Sequence, residues 1–141
     1  MPRVGGFKQA LDMLSQLDHE NAQRLLADIA KKDPELAQLL NRELVTLEDL
    51  KFISTKMLVE LFREIELSDM GMALRIGSEE LKTYILNNIS SGMAREIKDI
   101  LEGPPQQRNK VNEAIERIML VVRAKVANKE LIIDKNAEEV V

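Results

Sequence analysis

Residues 78–104 read SEELKTYILNNISSGMAREIKDILEGP, and this stretch decides the fold class. Ser78, with Glu80 in the first turn behind it, is a helix N-cap followed by the negative charge that a helix start favours. Asn88-Ile89-Ser90 breaks the pattern, Ser91 starts a second helix, and Gly103-Pro104 stops it. The second helix carries mixed charge on one face and no catalytic constellation. Two short capped helices of this kind point to an all-α interaction module.

Composition agrees. The chain has 141 residues, 45% of them hydrophobic, enough for a real core in one ordinary domain or two small helical units. Aromatic content is only 3%, with no Trp and one Tyr, so the core must be built from Leu, Ile, Met, Val and Ala at helical spacing. The absence of cysteine excludes disulfides and thiolate metal sites, and with His19 as the single histidine no metal site is expected. A net charge of −4, with no basic stripe and no aromatic stacking platform, argues against a nucleic-acid partner. The longest apolar run, Ile118 to Val122, is too short to span a bilayer, and no signal-peptide layout opens the chain. The expectation is a folded, soluble protein that neither crosses a membrane nor is secreted.

Upstream of residue 78, Gly5-Gly6 reads as a flexible hinge ahead of a helix from Phe7 to Leu17, with Phe7, Ala10, Leu11, Leu14 and Leu17 on one stripe. Asp18 is the expected cap of a second helix to about Lys32, and Asp33-Pro34 starts a third to roughly Leu44. Three helices with such short connections resemble one armadillo-type unit. Residues 43–49 then read as a junction. Thr46 with Asp49 suggests a capped short helix to Ile53, Ser54 caps Thr55 to about Ile65, and Ser68 opens Asp69 to Ile76, closed by Gly77. Downstream, Asn109 to about Ala127 is the longest helix, with Val111, Ala114, Ile115, Ile118, Met119, Val122 and Val126 on one side. Leu131-Ile132-Ile133 is a short strand or an extended tail packed on the body, and residues 134–141 are expected to fray.

Chemistry is hard to find in these residues. Glu48-Asp49 and Glu79-Glu80 stand where helix first turns favour acids. Ser90-Ser91-Gly92 has no histidine or strand beside it, and Gly71 and Gly77 lack phosphate-loop spacing. His19 follows a cap residue in polar surroundings and reads as a solvated side chain. No catalytic, cofactor-binding or metal-binding residue is expected, and no small-molecule substrate.

The helix from Ser91 to Glu102 is different. At about 100° per residue, Met93, Ile97, Ile100 and Leu101 gather on one arc, while Ser91, Arg95, Lys98, Asp99 and Glu102 fall on the other. One arc is core and one is presented. The Arg95–Asp99 spacing allows an i,i+4 ion pair worth a few tenths of a kcal/mol.

The order of motifs along the chain resembles the flagellar motor switch protein FliG family. The resemblance is carried by Gly5-Gly6, Asp33-Pro34-Glu35-Leu36-Ala37, Leu47-Glu48-Asp49-Leu50, Ile76-Gly77-Ser78-Glu79-Glu80-Leu81-Lys82, Asn88-Ile89-Ser90 and Gly103-Pro104. Each motif is weak alone, and six in order are specific. The family's amino-terminal and middle domains have no counterpart, so the resemblance implies a fragment of a longer protein. It implies an all-α fold of short-helix, armadillo-like right-handed superhelical clusters: a unit at residues 1–44, and at residues 45–141 a subdomain containing the torque helix, about 91–102. The two units are joined by a flexible junction.

The function implied is that of a rotor subunit. The family forms a ring of neighbouring FliG subunits on the cytoplasmic face of the inner membrane, binds the switch protein FliM, and presents torque-helix charges to the cytoplasmic loop of the stator protein MotA. On that reading the stator-facing residues are Arg95, Lys98, Asp99 and Arg108, the family's arginine after Gly-Pro falling on Arg108 or Lys110 because the spacing shifts there. The hinge and junction residues are Gly5, Gly6, Leu44, Val45, Thr46 and Leu47. The family's aromatic junction motif stands here as Leu44-Val45-Thr46-Leu47. Its lysine in the preceding helix falls on Tyr84, its basic position before the torque helix on Gly92, and its acidic pair on Asp99 and Ile100. Arg95, three residues after Gly92, takes over the lost basic charge on this reading. A divergent paralogue serving as a structural or regulatory scaffold is the alternative.

Overall fold

Caps and apolar spacing become a succession of short helices in the computed structural model, which describes residues 2–17 and 19–134. They are α1 (Pro2–Gln16), α2 (His19–Lys32), α3 (Pro34–Glu43), a 3-10 segment (Leu47–Phe52), α4 (Thr55–Leu61), α5 (Leu67–Ala73) continued by a 3-10 turn (Leu74–Ile76), α6 (Glu79–Asn87), α7 (Ser91–Leu101) and α8 (Arg108–Ala127). The chain divides between Thr46 and Leu47 into two compact units, two residues beyond the boundary expected from the sequence. Asp18, the expected cap of the second helix, and residues 135–141 of the expected frayed tail lie outside the described residues.

In the first unit, α1, α2 and α3 close around Leu14, Ala22, Leu26, Leu40 and Leu44, with Phe7, Leu11, Leu25, Ile29 and Leu36 packed at the margin. The turn between α2 and α3 needs one residue. The Asp33 amide closes α2 on the Ile29 carbonyl (2.7 Å), while the Asp33 carboxylate accepts from the Leu36 amide (3.2 Å). Pro34 gives up no hydrogen bond at the first helical position. Helix α1 starts at Pro2, five residues before the expected Phe7, so Gly5 and Gly6 are helical. Proline is pre-organised for that start, and two glycines each cost only about 1 kcal/mol in a helix.

The second unit is built around α5, which packs against α7 and α8, while α6 lies on the Leu47–Phe52 segment. Leu50, Leu58, Leu61, Met70, Leu74, Leu81, Ile85, Ile97 and Ile118 are fully buried. Each contributes about 1.5–3 kcal/mol by leaving water, whereas exposed ion pairs such as Lys82–Glu79 (3.2 Å) are worth about 0–1 kcal/mol. Apolar packing therefore decides the architecture. Polar contacts fix its details: the Ser78 amide and hydroxyl donate to the Glu48 carboxylate (2.8 and 2.5 Å), and the Ser78 hydroxyl oxygen accepts from the Leu81 amide (3.1 Å). One serine thus caps α6 and ties it to the 3-10 segment. Arg117 of α8 reaches Asp69 of α5 through two nitrogens (2.9–3.2 Å), and this contact raises the guanidinium pKa above its already high ordinary value.

Several boundaries differ from the sequence reading. The short helix after the junction is a 3-10 segment ending at Phe52. Helix α4 ends at Leu61, short of the expected Ile65, where the hydrogen bonds tighten to i,i+3 turns (Arg63 amide to Glu60 carbonyl, Glu64 amide to Leu61 carbonyl) that take the chain out. The residue before α5 is Glu66, since the Ser68 hydroxyl donates to the Glu66 carboxylate (3.4 Å) and caps nothing. Residues 131–133 form no strand. Leu131 is buried, and the Asp134 amide reaches the Phe52 carbonyl (3.5 Å), so this segment is the extended tail packed on the body.

Candidate functional site: the charged face of helix α7

Helix α7 starts at Ser91, as read from the sequence, and Ser90 is its N-cap, its hydroxyl oxygen accepting from the Met93 amide (3.2 Å). Ile97 is fully buried and Met93, Ala94, Ile100 and Leu101 are half-buried, as the helical wheel requires. Arg95, Glu96, Lys98, Asp99 and Glu102 are exposed. Among the described residues, none of the side chains of Arg95, Lys98 and Asp99 makes an ion pair or hydrogen bond. The i,i+4 pair expected between Arg95 and Asp99 is therefore not formed. In water its few tenths of a kcal/mol do not outweigh the side-chain freedom, chiefly that of the long Arg95, that pairing would cost. The face displays charges of both signs to solvent.

Arg108 is the first residue of α8 and is exposed. It and Lys110 stand in a first turn that carries no acid, against the preference of the helix dipole. Arg95, Lys98 and Asp99 are thus brought together on one helix, and Arg108 follows on the next element after the loop at residues 103–107. Beside α7, a groove of about 790 Å³ between α6 and α7 is lined by Arg75, Lys82, Leu86, Lys98, Leu101 and Glu102, among others.

The three positions where the resemblance placed altered charges have distinct surroundings. Tyr84 is half-buried and its hydroxyl donates to the Ile53 carbonyl, so its polar end serves the fold. Gly92 is exposed, with nothing within 4 Å of where a side chain would begin. Ile100 rests on Gly71 of α5: a Cβ at residue 71 would lie 2.7 Å from both Cβ and Cγ2 of Ile100. That close approach needs glycine, a role that spacing for phosphate binding did not address. Arg75, unnoticed in the sequence, donates from Nη2 to the Ile100 carbonyl (2.8 Å), placing a cation at the end of α7 where a helix favours one. An arginine in the 3-10 turn at the end of α5 carries no periodic signal that announces such a contact.

At the junction, Leu44 ends α3 in extended conformation and is buried in the first unit's core. Val45 and Thr46 are half-buried outside regular structure, and Leu47 is buried at the start of the 3-10 segment. Among the described residues no helix is long and apolar enough to cross a membrane.

Residues 27–133 match the model of the family described as FliG C-terminal domain. The flagellar motor switch protein FliG of Thermotoga maritima is 29% identical over 139 residues, covering 97% of this chain and 41% of the relative. That of Bacillus subtilis is 28% identical over 123 residues, covering 86% and 36%. The chain thus spans about two fifths of the length of the curated relatives it matches. In structure it is similar to a fragment of Helicobacter pylori FliG, with a TM-score of 0.63 at 21% identity, covering 86% of this chain and 57% of that one. Full-length FliG from Aquifex aeolicus superposes with a TM-score of 0.56 at 23% identity, covering 86% and 38%. With three quarters of its length matched by one family model, an all-α core, and Asp-Pro, Gly-Ser and Gly-Pro signals bounding its helices, the chain belongs to the FliG C-terminal domain family.

Proposed function

We propose that the chain is the carboxyl-terminal part of a non-enzymatic rotor and switch component of a flagellar motor. On this reading it works at the cytoplasmic face of the inner membrane, in a ring with neighbouring FliG subunits. Torque passes through Arg95, Lys98, Asp99 and Arg108 to the cytoplasmic loop of the stator protein MotA. Direction is switched by binding of FliM, with Leu44, Val45, Thr46 and Leu47 as the pivot and Gly5 and Gly6 as a second. The relatives' name, flagellar motor switch protein, supports the setting. The observation that carries the reading is the row of solvent-facing charges on α7 that have no partner among the described residues. Contacts that must form and break quickly suit exposed ion pairs, which steer association at a gain of only about 0–1 kcal/mol each.

The test is charge reversal, Arg95→Glu, Lys98→Glu or Asp99→Lys, in the full-length protein of a motile cell. Cells are expected to keep their filaments and lose swimming. Normal swimming in all three variants would refute the assignment. A scaffold role without direct torque generation is the second reading, favoured by Gly92, which leaves an exposed first-turn position of α7 without charge. Under it, the protein placed in a strain lacking its own FliG restores filaments that do not turn.

A further inference from the structure

The charged face of α7 is only as well aimed as the seat under the helix's last turn. Two residues hold that turn, four apart in sequence and both directed at Ile100. From below, Gly71 lets the Ile100 side chain rest on α5: a Cβ there would meet Ile100 Cβ and Cγ2 at 2.7 Å and the Ile97 carbonyl oxygen at 3.1 Å. Those are atoms at or next to the α7 backbone, so they cannot swing away as the end of a flexible side chain would. From the end, Arg75 donates from Nη2 to the Ile100 carbonyl at 2.8 Å, while its buried Nε has no hydrogen-bond partner among the described residues. Leaving a buried donor unpaired is unfavourable, so the guanidinium is held by its grip on α7 and by packing, not by complete pairing of its own donors.

Ile100 directly follows Lys98 and Asp99, both exposed. Side-chain ends lie roughly 5–6 Å from a helix axis, so turning α7 by about 20° would sweep a charge through roughly 2 Å. That is more than half the length of a hydrogen bond. We infer that Gly71 and Arg75 are positioning residues that set the rotation of α7 and so the aim of Lys98 and Asp99. The consequence for a motor rests on the reading of α7 as the presented helix; the seat itself does not.

Amide hydrogen exchange on the chain carrying Arg75→Ala tests the seat. The Glu102 and Gly103 amides, which close on the Lys98 and Ile100 carbonyls, are expected to exchange at least tenfold faster, with Ile115 and Ile118 of α8 within twofold of wild type. Arg75→Lys, which keeps a cationic donor, should recover most of the protection. Equal acceleration in α7 and α8 would mean general destabilisation and overturn the inference, as would no change at Glu102 and Gly103. Gly71→Ala adds a second readout: amide chemical-shift changes concentrated in α5 and α7 support the seat, and changes spread evenly over the second unit count against it. If that variant does not fold, the arginine series decides alone. In swimming cells, Arg75→Ala should reduce speed at normal protein level, whereas Met119→Ala, a core change in α8, matched for lost stability should not. Equal loss in both variants removes the positioning role. Charge reversal at Lys98 and Asp99 with no effect on swimming would instead remove the reading of α7, leaving the exchange pattern to judge the seat.

Discussion

Lys125 shows how a single side chain can tie together segments that no sequence pattern connects. Its ammonium contacts Glu64, after α4, and Glu130, beyond α8 (3.4 Å), with little of its side chain exposed. The hydrogen bond to Glu64 is the main cause of a raised pKa; partial burial works against it and Glu130 adds to it. Because the folded-state value is raised, the stabilisation is complete below the ordinary lysine value of 10.5 and is lost as pH climbs through the raised one. The gap in melting temperature between wild type and Lys125→Met should therefore be flat near neutrality and close only in strong alkali. A gap that closes between pH 6 and pH 9 would show that another group is responsible. Neither partner was legible in the sequence: Glu64 is 61 residues away, and only packing of α8 on α5 brings the two regions together.

At the scale of one element, α7 was read almost correctly from residues alone. Its apolar arc, its exposed charges and its stop at Gly103 all follow from 3.6-residue periodicity and caps, which are local properties. What periodicity could not say is that Ile100 sits on a glycine of another helix, or that Arg95 and Asp99 stay apart. Gly92 provides a test of the element. Its site is open and it lies in the first turn, so Gly92→Ala should stabilise the second unit by about 0.5–1 kcal/mol, read as a higher urea midpoint at unchanged slope. A lower midpoint would mean that residue 92 is packed, contrary to its exposure.

For the molecule as a whole, the chain divides into two compact units, and the first has a core cluster of its own. With no cysteine in the chain, that unit has no disulfide to hold it and depends on this apolar packing. Leu40 is fully buried in its core, and Leu40→Ala should cost about 2–5 kcal/mol, enough to unfold the first unit. Spectra of the variant are expected to lose the α1–α3 signals while those of α8 persist. Simultaneous loss of both sets would show one cooperative domain.

The chain's own sequence determined that it is all-α, where most helices start and stop, which face of α7 is apolar, and which family it belongs to. Those properties depend on neighbours within one or two turns, so they are written in spacing and caps. Tertiary structure alone decided that Gly71 and Arg75 grip Ile100, that Glu48 holds Ser78, and that residues 131–134 lie against Phe52 as a packed tail. Each of these joins residues some 25 to 80 positions apart. Such contacts form only after the apolar faces have chosen their partners, and nothing in local spacing records that choice.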